Sequence, residues 1–142
     1  MALIEKEKIL QELLALKDYN DKFKYLIQKG KNQPPLDEKF KTETYRIEGC
    51  LSKLWLHPTF RNGKIYFASD SDAAIPKGIA ALLTEIYSGN SPEEALAIDP
   101  SFLKEAGVEQ HLSMNRSNGL SMLCNQIKMY AMAYNQLEKK NK

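Results

Sequence analysis

Two cysteines and two histidines are the only thiol and imidazole side chains in this 142-residue chain, so thiol chemistry has few places to occur. Cys50 follows Gly49 directly and opens the apolar run Leu51-Ser52-Lys53-Leu54-Trp55. Glycine permits backbone angles that other residues resist, so Gly49 allows a tight loop that aims the next side chain. A thiol at a loop tip can meet a partner or retreat into the domain, which a thiol in a helix interior cannot do. Cys124 falls within the apolar stripe of a long helical pattern and is expected to act as a small hydrophobe.

A thiol attacks only as the thiolate, and an unperturbed thiol of pKa about 8.5 is mostly protonated at neutral pH. Cys50 therefore needs a positive neighbour or backbone N–H donors. Arg116 is the candidate cation, because it is predicted in the first turn of a helix, where its charge opposes the helix dipole. His111 precedes that helix and could exchange a proton with Cys50, whereas His57 alternates with Trp55 on a strand and reads as packing. Asp70 and Asp72 read as helix caps. No close-spaced ligand motif implies zinc or an iron–sulfur cluster. Glycine-rich phosphate loops and Ser-His-Asp signatures are absent.

The elements that must position these residues are legible in part. Residues 3–17 predict an amphipathic helix carrying Leu3, Leu10, Leu13, Leu14 and Leu16. Asp18 caps a second helix that Gly30 is expected to stop, and 31–44, with Pro34 and Pro35, reads as a loop. Leu54, Leu56 and Phe60 alternate with Trp55, His57 and Thr59 as in a half-buried strand. Asn62-Gly63 marks a hairpin around 61–64, Lys64–Ala68 returns as its partner, and Tyr45–Ile47 is a candidate extra edge. A helix from about 73 to 88 buries Ile75, Ile79, Leu82, Leu83 and Ile86, with Gly78 tolerable if something packs close there. Ser91-Pro92-Glu93-Glu94 starts a short helix, Asp99-Pro100 another ending at Gly107, and Ser113 a last one running to about Glu138. The core face of that last helix is expected to hold Leu120, Leu123, Ile127, Tyr130, Ala131, Tyr134 and Leu137. The pattern predicts one α+β domain over 1–142, a small antiparallel sheet packed on one face by helices.

Composition narrows the function. A formal net charge of +2, with no basic run interleaved with aromatics, gives no case for nucleic acid. No stretch approaches the roughly 20 apolar residues of a membrane span, and the N-terminus does not read as a signal peptide. Few cysteines and no reason to pair them fit a reducing cytoplasm.

Gly49-Cys50-Leu51-Ser52-Lys53-Leu54-Trp55 resembles the Gly-Cys-x-Ser-x-hydrophobic-Trp motif of the SufE-type sulfur acceptors. Ser71-Asp72-Ala73-Ala74-Ile75-Pro76-Lys77-Gly78 is similar to that family's Ser-Asp-Ala-x-Ile-x-Lys-Gly segment. Leu112-Ser113-Met114-Asn115-Arg116-Ser117-Asn118-Gly119 resembles its Leu-x-x-x-Arg-x-x-Gly segment, with Met114 where the family often has proline. The three lie in order over nearly the whole chain. The resemblance implies a sandwich shared with the IscU-type scaffolds. It implies that Cys50 accepts sulfur from the persulfide of a pyridoxal-phosphate cysteine desulfurase, SufS-like or CsdA-like, stimulates it, and delivers sulfur to a downstream iron–sulfur scaffold. Gly49, Asp72, Lys77, His111 and Arg116 then take supporting or partner-docking roles, with no cofactor or metal of the chain's own. A homodimer is left open, and the chain is a carrier without small-molecule turnover. The alternatives are a redox-active thiol oxidised to sulfenic acid and, less favoured because Cys50 stands alone on its loop, a cluster scaffold.

Overall fold

The computed structural model describes residues 2–47, 53–99, 101 and 114–140. Its elements run α1 (Ala2–Ala15), α2 (Tyr19–Asn32), two 3-10 turns (Glu38–Phe40 and Glu43–Tyr45), β1 (Leu54–Arg61), β2 (Lys64–Ser71), α3 (Ala74–Tyr87), α4 (Pro92–Ala97) and α5 (Met114–Lys140). The expected α+β architecture is present, as a two-stranded antiparallel sheet with helices against one face.

Asn62 and Gly63 both take positive φ, 53° and 75°, as a type I′ turn requires, and this sets the hairpin register with Trp55 opposite Asp70 and Pro58 opposite Phe67. Leu54, Leu56, Ile65 and Phe67 turn inward and pack with Ile79, Leu82, Leu83 and Ile86 of α3. Leu13 of α1, Leu26 of α2 and Leu120, Leu123, Ile127 and Ala131 of α5 complete the core.

Both sheet edges are closed by specific groups. On β2, the Ile65 N–H donates to the Asn90 carbonyl at 2.8 Å, the Gly89 N–H returns to the Ile65 carbonyl at 2.8 Å, and the Phe67 N–H donates to Ser88 Oγ at 2.9 Å. On β1, the Ile47 N–H donates to the Leu54 carbonyl at 2.8 Å, and Pro58 has no N–H to offer. The candidate edge at 45–47 is thus a single bridge, Arg46 with Trp55, and not a third strand.

Three expectations change. Gly30 does not stop α2, which continues to Asn32; it lies where α2 crosses α3. At Gly78 on the facing helix, a Cβ would meet the Leu26 carbonyl oxygen at 2.0 Å, so the two backbones touch through glycine. The stretch 31–44 is no plain loop. Its two 3-10 turns form a strap over the outer sheet face, where Phe40 stacks on His57 at 3.6 Å between ring centroids and Tyr45 meets the same ring edge-on at 4.8 Å. Burial, and then the charge of Lys39, lowers the His57 pKa, as expected of a packing histidine. Finally, Leu137 is 53% exposed because the half-buried face of α5 there runs through Tyr134, Asn135 and Glu138, beside the start of α4. The helix anticipated from Asp99-Pro100 to Gly107 falls largely outside the described residues.

Candidate functional site

Cys50 and Gly49 fall in 48–52 and His111 in 102–113, outside the described residues, and Arg116 is described only as part of the first turn of α5. The residues on either side of 48–52 are described, and they are held. Ile47 is joined to Leu54 by the bond already noted, which closes a neck. Lys53 is gripped through its whole peptide unit. Its N–H donates to Asp72 Oδ1 at 2.9 Å, and its carbonyl accepts from Ser71 Oγ at 2.6 Å and from the Asp72 N–H at 3.2 Å.

Asp72 is therefore not a helix cap. The N-cap of α3 is Ala73, without a side-chain cap bond, and the Asp72 carboxylate turns back to the Lys53 amide instead. An aspartate just past a strand end can bond backward or forward with similar geometry. Here the Lys53 amide, lying beyond the ladder where β1 begins, needs an acceptor more than the helix does.

Asp70 is not a cap either. Register places it on the outer face of β2, opposite Trp55, with only 9% of its side chain exposed. Its carboxylate accepts the Ser71 N–H at 2.8 Å and meets Lys41 Nζ at 3.2 Å and Lys77 Nζ at 3.6 Å. Burial pushes its pKa up, but the Ser71 amide, Lys41 and then Lys77 outweigh that, and the net direction is down. Lys41 also lies 5.8 Å over the Trp55 ring, and its hydrogen bonds to Glu38 and then Asp70 raise its pKa. One carboxylate thus joins the strap, the sheet and the first turn of α3.

Of the anticipated residues, the structure places Asp72 on the Lys53 amide, at the root of the segment that carries Cys50, and Lys77 on Asp70. Lys77 Nζ lies 3.6 Å from Asp70 Oδ1, with about a third of its side chain exposed. Sequence reasoning missed Lys41, Ser71 and the role of Asp70. Parity held the signal for Asp70: had β2 been extended beyond Ala68, Asp70 would have fallen on the face of Trp55 with an unbalanced charge. Cys124 lies half-buried against the core, as its place on the stripe implied.

A groove of about 580 Å³ lies among α1, α2, α3 and β2. Its wall includes Glu12, Tyr25, Lys29, Gln33, Phe67 and Thr84.

The chain is 39% identical over 116 residues to SufE-like protein 1, chloroplastic/mitochondrial, of Arabidopsis thaliana, covering 78% of this chain and 31% of that protein, so it spans about a third of that relative. It is 32% identical over 130 residues to an uncharacterized SufE-like protein of Rhizobium meliloti (strain 1021), covering 88% of this chain and 93% of that one. A solution structure of a hypothetical protein from Thermus thermophilus superposes with a TM-score of 0.77 at 22% identity, covering 93% of this chain and 96% of that one, a likeness of fold. Among the described residues no helix is long and apolar enough to cross a membrane. The family model for the SufE, or Fe-S metabolism associated, domain matches residues 7–131, and the chain belongs to that family.

Proposed function

We propose that this chain accepts sulfane sulfur on Cys50 from the persulfide of a cysteine desulfurase, thereby stimulates that enzyme, and passes the sulfur on for iron–sulfur cluster assembly. Family membership supports the sulfur-related part of the reading. The observation that supports assigning it to Cys50 is the anchoring of Lys53, next to the Gly49-Cys50 motif in sequence, by Ser71 and Asp72.

The step is an exchange at sulfur. The Cys50 thiolate attacks the outer sulfur of the desulfurase persulfide, a new S–S bond forms, and the old one breaks with its electron pair leaving on the desulfurase sulfur. That thiolate takes up the proton given by Cys50, and no outside oxidant is needed. Rate depends on the thiolate fraction of the attacker and on access. Gly49 is the candidate turn residue, Arg116 the candidate positive neighbour, and His111 a candidate proton carrier. The relief of the desulfurase from its bound sulfur is the source of stimulation. A reducing compartment such as the cytosol suits a thiol that must stay free between cycles.

Incubation with desulfurase and cysteine is expected to add one sulfur atom to Cys50, read by intact mass and peptide mapping. Cys50→Ser is expected to abolish both the added mass and the stimulation of turnover. Full stimulation by Cys50→Ser would overturn direct transfer.

A further inference from the structure

The groove of about 580 Å³ has no part in the sulfur reading, yet its size lies within the roughly 300–1,000 Å³ of small-ligand sites. Its back wall is fixed. The Gln33 amide donates to Ser69 Oγ and Thr84 Oγ1, both at 3.0 Å, tying the end of α2 to β2 and α3. Pro34, Phe67 and Ala81 supply apolar surface.

The polar lining is one-sided in charge. Two carboxylates, Glu12 and Glu85, face one ammonium, Lys29. Lys29 is already committed, 2.8 Å from Glu85 Oε2 and 5.6 Å over the Tyr25 ring. Glu12 accepts the Tyr25 hydroxyl and has no ion pair among the described residues. Burial first, then Glu12 and Glu85, raises the Tyr25 pKa, so the phenol stays a neutral donor. The C-terminal end of α2, with its negative partial charge, also borders the groove. The Gln28 amide nitrogen donates to Asn32 Oδ1 at 3.0 Å, which leaves the Gln28 carbonyl oxygen to accept. With the second oxygens of Glu12 and Glu85 and the Tyr25 lone pair, the groove offers several acceptors and one uncompensated charge.

We propose that this groove binds a guanidinium cation on a short aliphatic stem, with Glu12 as its counter-charge and Tyr25 and Gln28 as further acceptors. A guanidinium brings five N–H donors in a planar fork, which suits a carboxylate flanked by neutral acceptors. Lys29 shows the same chemistry within the chain, a cation held between a carboxylate and an aromatic face. The source is an arginine presented by a protein segment or a free guanidino compound, and the chemistry is shared. The inference stands apart from Cys50.

Titration of the full chain by calorimetry and amide NMR, with no desulfurase present, tests it. The probes are acetyl-Gly-Arg-Gly-amide, agmatine and the uncharged acetyl-Gly-citrulline-Gly-amide. At least one cationic probe is expected to bind saturably at one site and shift the amides of Gln28, Asn32 and Thr84. The citrulline peptide is expected to bind about tenfold more weakly or worse, and Glu12→Gln to cost about the same, about 1.4 kcal/mol. The glutamine amide introduced by that substitution would keep an acceptor for Tyr25, so the fold should persist. A stronger response to the peptide assigns the source to a protein segment, and a stronger response to agmatine to a free compound. Absence of saturable binding, equal binding of the citrulline peptide, or undiminished binding by a folded Glu12→Gln would overturn the proposal. Each of those results leaves sulfur transfer untouched.

Discussion

At the scale of single residues, the most consequential group is the Asp72 carboxylate. It lies at the surface, yet it accepts an amide that starts β1 and so holds one end of the segment bearing Cys50. Asp72→Ala removes that acceptor. Global stability should change little, by about 1 kcal/mol or less, since the freed amide can turn to water. Alkylation of Cys50 should speed up relative to Cys124, because its anchor is loosened while the helical thiol is not. Timed labelling with mass readout checks this; an unchanged ratio would mean that the two bonds to the Lys53 carbonyl suffice to hold the root. The motif Ser71-Asp72 was plain in the sequence, but its purpose was not. Both residues sit where a strand ends and a helix begins, and the acceptor could serve either element. Only the placement of Lys53 decides between them.

At the scale of elements, α2 and α3 are joined by contact of their backbones at Gly78 and Gly30. A methyl group at Gly78 would lie 2.0 Å from the Leu26 carbonyl oxygen, and backbone cannot rotate away as a side chain would. Gly78→Ala gains helix propensity, about 1 kcal/mol, and loses more through separation of the helices. A net destabilisation of about 1–3 kcal/mol is expected, read as a lower urea midpoint. A neutral or stabilising result would show that the helices can part cheaply. The sequence marked Gly78 as an oddity inside a helical pattern but hid its partner, because a close approach leaves no periodic trace. The hairpin was fully legible, since Asn62-Gly63 leaves few other conformations. The strap over 37–46 was not, because 3-10 turns are too short to build a stripe, and the aromatic contacts of Phe40 and Tyr45 with His57 are long-range. Likewise, the apolar spacing continued through Leu137, although the half-buried face there passes through the polar Asn135 and Glu138.

At the scale of the whole molecule, Asp70 is the point where three separate parts of the chain meet: Lys41 of the strap, β2, and Lys77 of α3. The folded protein holds this carboxyl below its ordinary value, so as pH falls the unfolded chain binds the proton first. Its stabilising contribution is complete above the unfolded pKa of about 4 and is lost as pH drops through the folded value. Urea midpoints measured across the acid range should therefore fall less steeply for Asp70→Asn than for the parent protein. Parallel curves would remove Asp70 from the account. This cluster was the least legible part of the site, because its members are spread from 41 to 77 and share no spacing. The family resemblance, by contrast, was readable from local residue types.

The closed edges of the hairpin carry one more implication. On β1 the outward backbone positions are interrupted by Pro58 and already used at Leu54, and on β2 they are taken by the 88–90 turn and the Ser88 hydroxyl. An incoming extended peptide would find no unbroken row of amides to zip against. Recognition of this domain must then be written in side chains and surface shape, so point substitutions that leave the main chain intact should suffice to redirect which proteins it serves.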